Sequence, residues 1–343
     1  MKIPFFPMTR RGAIISVAAA AAAAAANLGQ ARPATLITLQ RSGAKEFLLR
    51  IALTNDHIFG LWSTGLAKGS SRLACYNLRG EQKWSREFGA APQFAIVASG
   101  DNEVTAVAID REESKLTFGK YDALGPINQT DSLPLNGAVI AVAASSNDIC
   151  ALDIETNLFS KRFGVPEAPT RRPPAFDTPT IGGVKPRGIV ASMHFLGTEL
   201  VLLDHVKART LTILSNGEVR SGRVIHPSID AAIQKQDSDV AGRVALLRPG
   251  GNEHAVTFPT SISFAASDRA SGIWLVSSLE TGSVPVFRIN SVLNVTATYN
   301  IQVPPDPLVR GRPPLMLAAS PASIAFGFRE GLLAIVDVKD ANI

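Results

Sequence analysis

Leu73-Ala74-Cys75-Tyr76-Asn77-Leu78-Arg79-Gly80-Glu81-Gln82-Lys83-Trp84 reads as an apolar strand, a turn from Asn77 to Gly80 and the start of a second strand. Asn favours a turn because its side chain can bond the backbone two residues on, and Gly supplies the positive φ that closes it. The signal returns 45 residues later as Leu116 to Tyr121, with a turn at Asp122 to Gly125. Weaker copies run at Ala151 to Asn157, Leu211 to Gly217, Val286 to Asn294 and Leu333 to Asp340. Four-stranded units repeating at this spacing are the sequence form of a β-propeller.

Working outward, short apolar runs bounded by Gly, Asn, Asp and Pro group into blades over residues 46–88, 93–133, 138–163, 188–225, 262–303 and 315–338. The third group runs into a proline-rich stretch with no clear fourth strand. The last group is short by its outer strand, and Ala34 to Gln40 is a β-rich run with no partner of its own. Letting residues 34–40 complete the last blade closes the ring and removes two sheet edges. The expected fold class is all-β, a single β-propeller of six blades of about 50 residues. Seven blades of about 44 fit the same length, with a hairpin candidate at Val244 to Phe258 as the degenerate extra.

Met1 to Arg11 carries Lys2, Arg10 and Arg11 and no acid, and an alanine-dominated run follows from Gly12 to Ala26. That run is too short and too weakly apolar for a membrane span, which needs roughly 20 strongly apolar residues. With small residues at Gly29 and Ala31, residues 1–31 read as an export signal and residues 32–343 as the propeller domain. Thr9-Arg10-Arg11-Gly12-Ala13-Ile14-Ile15 resembles a twin-arginine signal, and an ordinary secretory signal is the alternative. Either route implies a periplasmic or secreted protein.

Removing the leader leaves 31 basic residues against 29 acids, a net charge of +2. A near-balanced surface with 6% aromatic residues argues against nucleic-acid binding. Cys75 and Cys150 fall in different blades and read as two separate buried thiols.

Leu73 to Trp84 also resembles the outer hairpin of quinoprotein-like propeller repeats, and the whole set is similar to a six-bladed propeller. The tryptophan that such repeats place after the turn occurs once, at Trp84. The resemblance implies the fold and does not bring a quinone with it; no cofactor is expected.

No two of His57, His194, His205, His226 and His254 lie at a metal-ligand spacing such as i to i+2 or i+4, although a ring can bring distant residues to its axis. Asp237-Ser238-Asp239 starts like a calcium loop but lacks the remaining ligands and reads as a turn. Glu112-Glu113 reads as a solvated hairpin turn and Gly182-Gly183 as a hinge. There is no nucleophile elbow and no phosphate-cradling glycine loop.

Three long connections stand out, at residues 164–187, 226–260 and 304–314, each joining an outer strand to the next inner strand. They carry Arg171, Arg172, Lys185, Arg187, Arg310 and Arg312 among prolines, and the second opens with a helix-like piece, Ser228 to Lys235. One reading is a cationic rim, stiffened by proline, over one face; the other is solvated insertions. The expected function is an exported, non-enzymatic monomer that binds a protein, peptide or cell-envelope ligand through that rim. The alternative is a propeller hydrolase or lactonase with a divalent metal in the central channel, which requires several His, Asp, Glu or Asn side chains at the axis. A cofactor-carrying redox propeller is a third reading, without a haem-attachment or copper-binding motif.

Overall fold

A computed structural model describes residues 31–338, apart from residues 44, 65–69, 89–92, 111–113, 135–137, 154, 166–169, 173–190, 247–259, 278–282 and 304–313. Residues 1–30 of the expected leader, with Arg10 and Arg11, therefore lie outside the described residues, as do Glu112, Glu113, Gly182, Gly183, Lys185, Arg187, Arg310 and Arg312, while Ala31 is described.

Two short strands come first, β1 (Ala31–Pro33) and β2 (Thr35–Thr38). Blade 1 is β3 (Phe47–Leu53), β4 (His57–Ser63), β5 (Ser71–Asn77) and β6 (Gln82–Phe88). Blade 2 is β7 (Gln93–Ala98), β8 (Val104–Asp110), β9 (Lys115–Asp122) and β10 (Gly125–Pro134). Blade 3 is β11 (Val139–Ala144), β12 (Asp148–Asp153), β13 (Leu158–Arg162) and β14 (Thr170–Arg172), and blade 4 is β15 (Ala191–Leu196), β16 (Glu199–Asp204), β17 (Arg209–Ile213) and β18 (Val219–Arg223). After a helix, α1 (Pro227–Leu246), blade 5 is β19 (Phe264–Ser267), β20 (Ile273–Val276), β21 (Ser283–Ile289) and β22 (Val295–Gln302). Blade 6 is β23 (Met316–Ala319), β24 (Ser323–Gly327) and β25 (Leu332–Asp337).

Each blade is an antiparallel meander, and the inner strands β3, β7, β11, β15, β19 and β23 adjoin one another in order around the axis. The expected six-bladed ring is what forms. Burial follows strand position: β4 is buried at every residue, whereas outer strands such as β6 and β18 are mostly exposed. A middle strand is covered by neighbouring blades on both faces, so it is written as a continuous apolar run instead of an alternation.

Closure is as the sequence implied and one step more elaborate. β2 pairs antiparallel with β25, Thr35 opposite Ile335 and Thr38 opposite Leu332, so it is the missing fourth strand of blade 6. β1 pairs in parallel with β22, Ala31 opposite Asn300, and adds a fifth strand to blade 5. One N-terminal segment therefore straps two blades together.

The opening motif packs against that strap. Gly80 has φ +86°, and a Cβ there would stand 2.9 Å from the Thr38 carbonyl oxygen, so a side chain is excluded on two counts. Trp84 donates from Nε1 to the Asp122 and Ala123 carbonyls of blade 2, each at 3.1 Å, and packs edge-on against Phe59. It is a staple between blades 1 and 2. Cys75 and Cys150 are both free and buried, and burial pushes the Cys75 thiol up to about 12.

Three expectations are corrected. Blade 3 does have a fourth strand: Arg171 and Arg172 pair with Phe159 and Leu158 in β14, so they belong to a blade and not to a loop. The Ala151 to Asn157 copy, by contrast, is the strand-turn-strand element expected, joining second and third strands, where the Asp153 carboxylate accepts the Asn157 backbone N–H at 2.8 Å. The helical piece runs to Leu246 and so takes in both Asp237-Ser238-Asp239 and the start of the hairpin candidate at Val244 to Phe258, the rest of which lies outside the described residues. Helix beyond Lys235 is hard to foresee because α1 has no clear apolar stripe there. No helix among the described residues is long and apolar enough to cross a membrane.

Candidate functional site in the axial channel

The six inner strands enclose a channel cavity of about 560 Å³, walled mainly by Ala, Val, Ile, Leu, Met and Phe. Polar groups enter at a few points: Arg50 from β3, Ser192 and His194 from β15, His205 just after β16, and Ser267 and Arg269 at the end of β19. An apolar cavity with a few convergent polar groups is the ordinary form of a small-molecule site.

Strand geometry builds the central cluster. Ser192 and His194 are two residues apart on β15 and share a face. The β15–β16 hairpin, with Ala191 opposite Asp204, brings His205 beside them. Ser192 Oγ lies 2.7 Å from His194 Nε2 and 2.8 Å from His205 Nε2. The His205 carbonyl accepts from the Ser261 and Ile262 backbone N–H groups, at 2.8 and 3.1 Å, which ties this loop to blade 5.

A hydroxyl has one proton and can donate to one imidazole only, so the other ring must donate to the oxygen and the two rings carry opposite tautomers. Burial holds His194 down to about 3, with the neighbouring His205 adding to the effect. Burial also takes His205 down to about 4, opposed by Asp204 and a backbone hydrogen bond with Ile262. Both imidazoles are neutral at physiological pH. Charge is costly here because desolvation outweighs what Asp204 returns.

Blade 1 faces blade 4 across a ring of six, so Arg50 is opposite this cluster. Each blade starts at the axis and ends at the rim, so the inner strands run the same way; Arg50 is three residues from the end of β3 and Ser192 four from the end of β15. The Arg50 guanidinium donates to the carbonyl of its own neighbour Leu49 at 2.9 Å and has no carboxylate partner among the described residues. Burial lowers its pKa, yet the group is open to the channel.

No three His, Cys, Asp or Glu among the described residues come together as a metal site. Among the described residues the alternative with a metal at the axis finds only His194 and His205 close together, fewer than the three protein ligands of a catalytic zinc site. Of the rim residues singled out from the sequence, Arg171 and Arg172 lie in the outer strand β14, and Lys185, Arg187, Arg310 and Arg312 lie outside the described residues. The cluster was hidden because His194 and His205 are eleven apart and meet only through hairpin register. Counting back from the tight Leu196-Gly197-Thr198-Glu199 turn places His205 across from the residues just before Ser192, and that was the available signal.

Six blades around an apolar channel with a hydroxyl–imidazole cluster define a six-bladed propeller carrying an axial site. A structure of a protein of unknown function from Bacteroides thetaiotaomicron is 10% identical, over 88% of this chain and 76% of that one, with a TM-score of 0.51. A catalytically inactive, histidine-to-alanine form of virginiamycin B lyase from Staphylococcus aureus, solved with quinupristin, is 13% identical over 89% of this chain and 99% of that one, with a TM-score of 0.50. At these identities the likeness is one of fold. No protein-family model matches the chain, nor does any curated protein.

The expectation of a non-enzymatic binding module, and the leaning against an enzyme, are corrected at this point. A ring of this shape also occurs in a lyase. The lack of a catalytic motif was thus no ground for setting the chain apart from enzymes. In a propeller, site residues are gathered by register from separate strands, and a linear motif is not needed.

Proposed function

We propose that the chain is an enzyme that cleaves a bond in a small, largely apolar substrate by acid–base chemistry in the axial channel. The observation that carries this reading is the Ser192 hydroxyl held within hydrogen-bond reach of two neutral imidazole nitrogens. A neutral imidazole that accepts a serine or substrate proton can drive such a step, and at these lowered pKa values it does so where negative charge on a bound substrate offsets the burial. Arg50, facing the cluster without a carboxylate of its own, offers positive charge where negative charge develops. The lyase of like fold lends support to cleavage as the reaction class. The apolar wall supplies the low dielectric in which these few polar groups act strongly.

The test uses quinupristin and a p-nitrophenyl ester as probes, with products followed by mass. Hydrolysis adds the mass of water and elimination does not, so the two routes separate. Ser192→Ala and His194→Gln are each expected to lower turnover by about 10²-fold or more. Turnover at the wild-type rate in Ser192→Ala sinks the assignment.

A further inference from the structure

The opposite mouth of the channel, where first and second strands of the blades are joined, holds a second cavity of about 530 Å³. Its wall comes from the β7–β8 turn with Ser99 and Glu103, from Ser145 and Ser146 in blade 3, and from Arg269 in blade 5. Four buried polar atoms on this wall have no hydrogen-bond partner among the described residues: Ser99 Oγ, Glu103 Oε2, and Arg269 Nε and Nη2. Such groups are rare in folded proteins, and each costs free energy until something bonds it.

The charges nearby leave these atoms only loosely balanced. Arg269 Nη2 comes no nearer than 4.0 Å to Oδ1 of Asp101, whose side chain is 89% exposed. Glu103 Oε2 is 3.8 Å from Lys120 Nζ, which donates instead to the Ser146 carbonyl. Burial pushes the Arg269 pKa down. The backbone is strained as well, since Arg269 has φ +64°, held there by Ser267 Oγ accepting its N–H at 2.8 Å and by Gly197 N–H donating to its carbonyl at 3.0 Å. Backbone strain of this kind is concentrated at functional sites, and here it coincides with guanidinium nitrogens that lack a hydrogen bond.

We infer that this mouth binds the zwitterionic head of an α-amino acid, its carboxylate on Arg269 Nε and Nη2 and its ammonium on Glu103 Oε2. The Nε–Nη2 edge of a guanidinium presents two parallel donors, the fork that fits a carboxylate. Glu103 Oε2 needs an N–H donor, and Ser99 Oγ can serve either group. A simple anion meets the repulsion of Asp101 and Glu103, and a simple amine that of Arg269. A ligand with both charges satisfies both sides. This site shares Arg269 with the channel wall but lies at the other mouth and uses none of Ser192, His194 or His205.

Isothermal titration of the full chain with glycine, L-leucine, L-glutamate and L-lysine, against acetate and methylamine as single-charge probes, tests the inference. At least one amino acid should bind saturably, with acetate and methylamine at least about 10-fold weaker. Arg269→Lys keeps the charge but loses the fork, and it should weaken binding about 10-fold, as should Glu103→Gln. Binding that persists in Ser192→Ala confirms a separate site. No saturable binding across the panel, acetate binding as tightly as an amino acid, unchanged affinity in the Arg269 variant, or loss in Ser192→Ala each overturns it.

Discussion

Asp268 and Arg269 are neighbours in one turn of blade 5, and their side chains meet opposite conditions. Asp268 Oδ1 accepts the backbone N–H groups of Ala270, Ser271 and Gly272 at 2.9–3.0 Å, while Oδ2 receives Arg288 Nε at 2.8 Å. Arg269 leaves two guanidinium nitrogens unpartnered. Blade 1 repeats the contrast: Arg72 grips both oxygens of Glu46 at 2.8 Å, whereas Arg50 on the channel side has only a neighbouring carbonyl. In these two pairs the charges inside a blade are satisfied and hold its geometry. Arg50 and Arg269, which line the channel, have no such close carboxylate among the described residues, and there the capacity to bind resides.

The strongest way to break this comparison is Asp268→Ala. Removing one partner strands Arg288, which is 9% exposed, without its counter-charge, and should cost about 3–5 kcal/mol in urea unfolding. A loss below about 1 kcal/mol puts the blade-body pair in the same class as Arg269. A second, graded effect comes from the histidine pair. Their folded pKa values, about 3 and about 4, lie below the ordinary value near 6.5, so the unfolded chain takes up protons first as pH falls. Stability is therefore full above about pH 6.5 and drops toward pH 4 by up to roughly 1.4 kcal/mol per pH unit for each histidine. Urea titrations between those limits should show that slope, and His194→Gln with His205→Gln should flatten it. The smallest effect sharpens the comparison most: Arg269→Leu should change stability by no more than about 1 kcal/mol, or raise it, because it removes a buried charge whose ion pair, with the exposed Asp101 at 4.0 Å, is loose. A loss as large as that of Asp268→Ala would show that Arg269 serves the fold.

The ring was legible because its turns are chemically alike. Asn77 Oδ1 accepts from Arg79 and Glu81, Asp122 Oδ1 from Leu124 and Gly125, Asn216 Oδ1 from Glu218, and Asn290 Oδ1 from Val292 and Asn294. One physical device recurs between the third and fourth strands of four blades, and it shows in the sequence as Asn or Asp before Gly or Asn. β14 was not legible, since three residues among prolines carry no alternation. The site was less legible still. Ser192, His194 and His205 are unremarkable one by one and gain meaning only once hairpin register places them together. Arg269 differs again, because a lack of partners is a property of the folded surroundings that no local pattern encodes.

The strap formed by β1 and β2 also has a consequence in time. Thr35 pairs with Ile335, so the contact that completes the ring joins residues 300 positions apart in the chain. Blades 1 to 4 can form in the order in which they are synthesised, each from local hairpins, but blade 6 keeps a bare edge until its distant partner returns. Until then the early segment must stay unpaired and in reach. The ring is thus built from neighbours and sealed by residues far apart in the chain, and contacts of such separation are the ones whose loop closure costs most entropy.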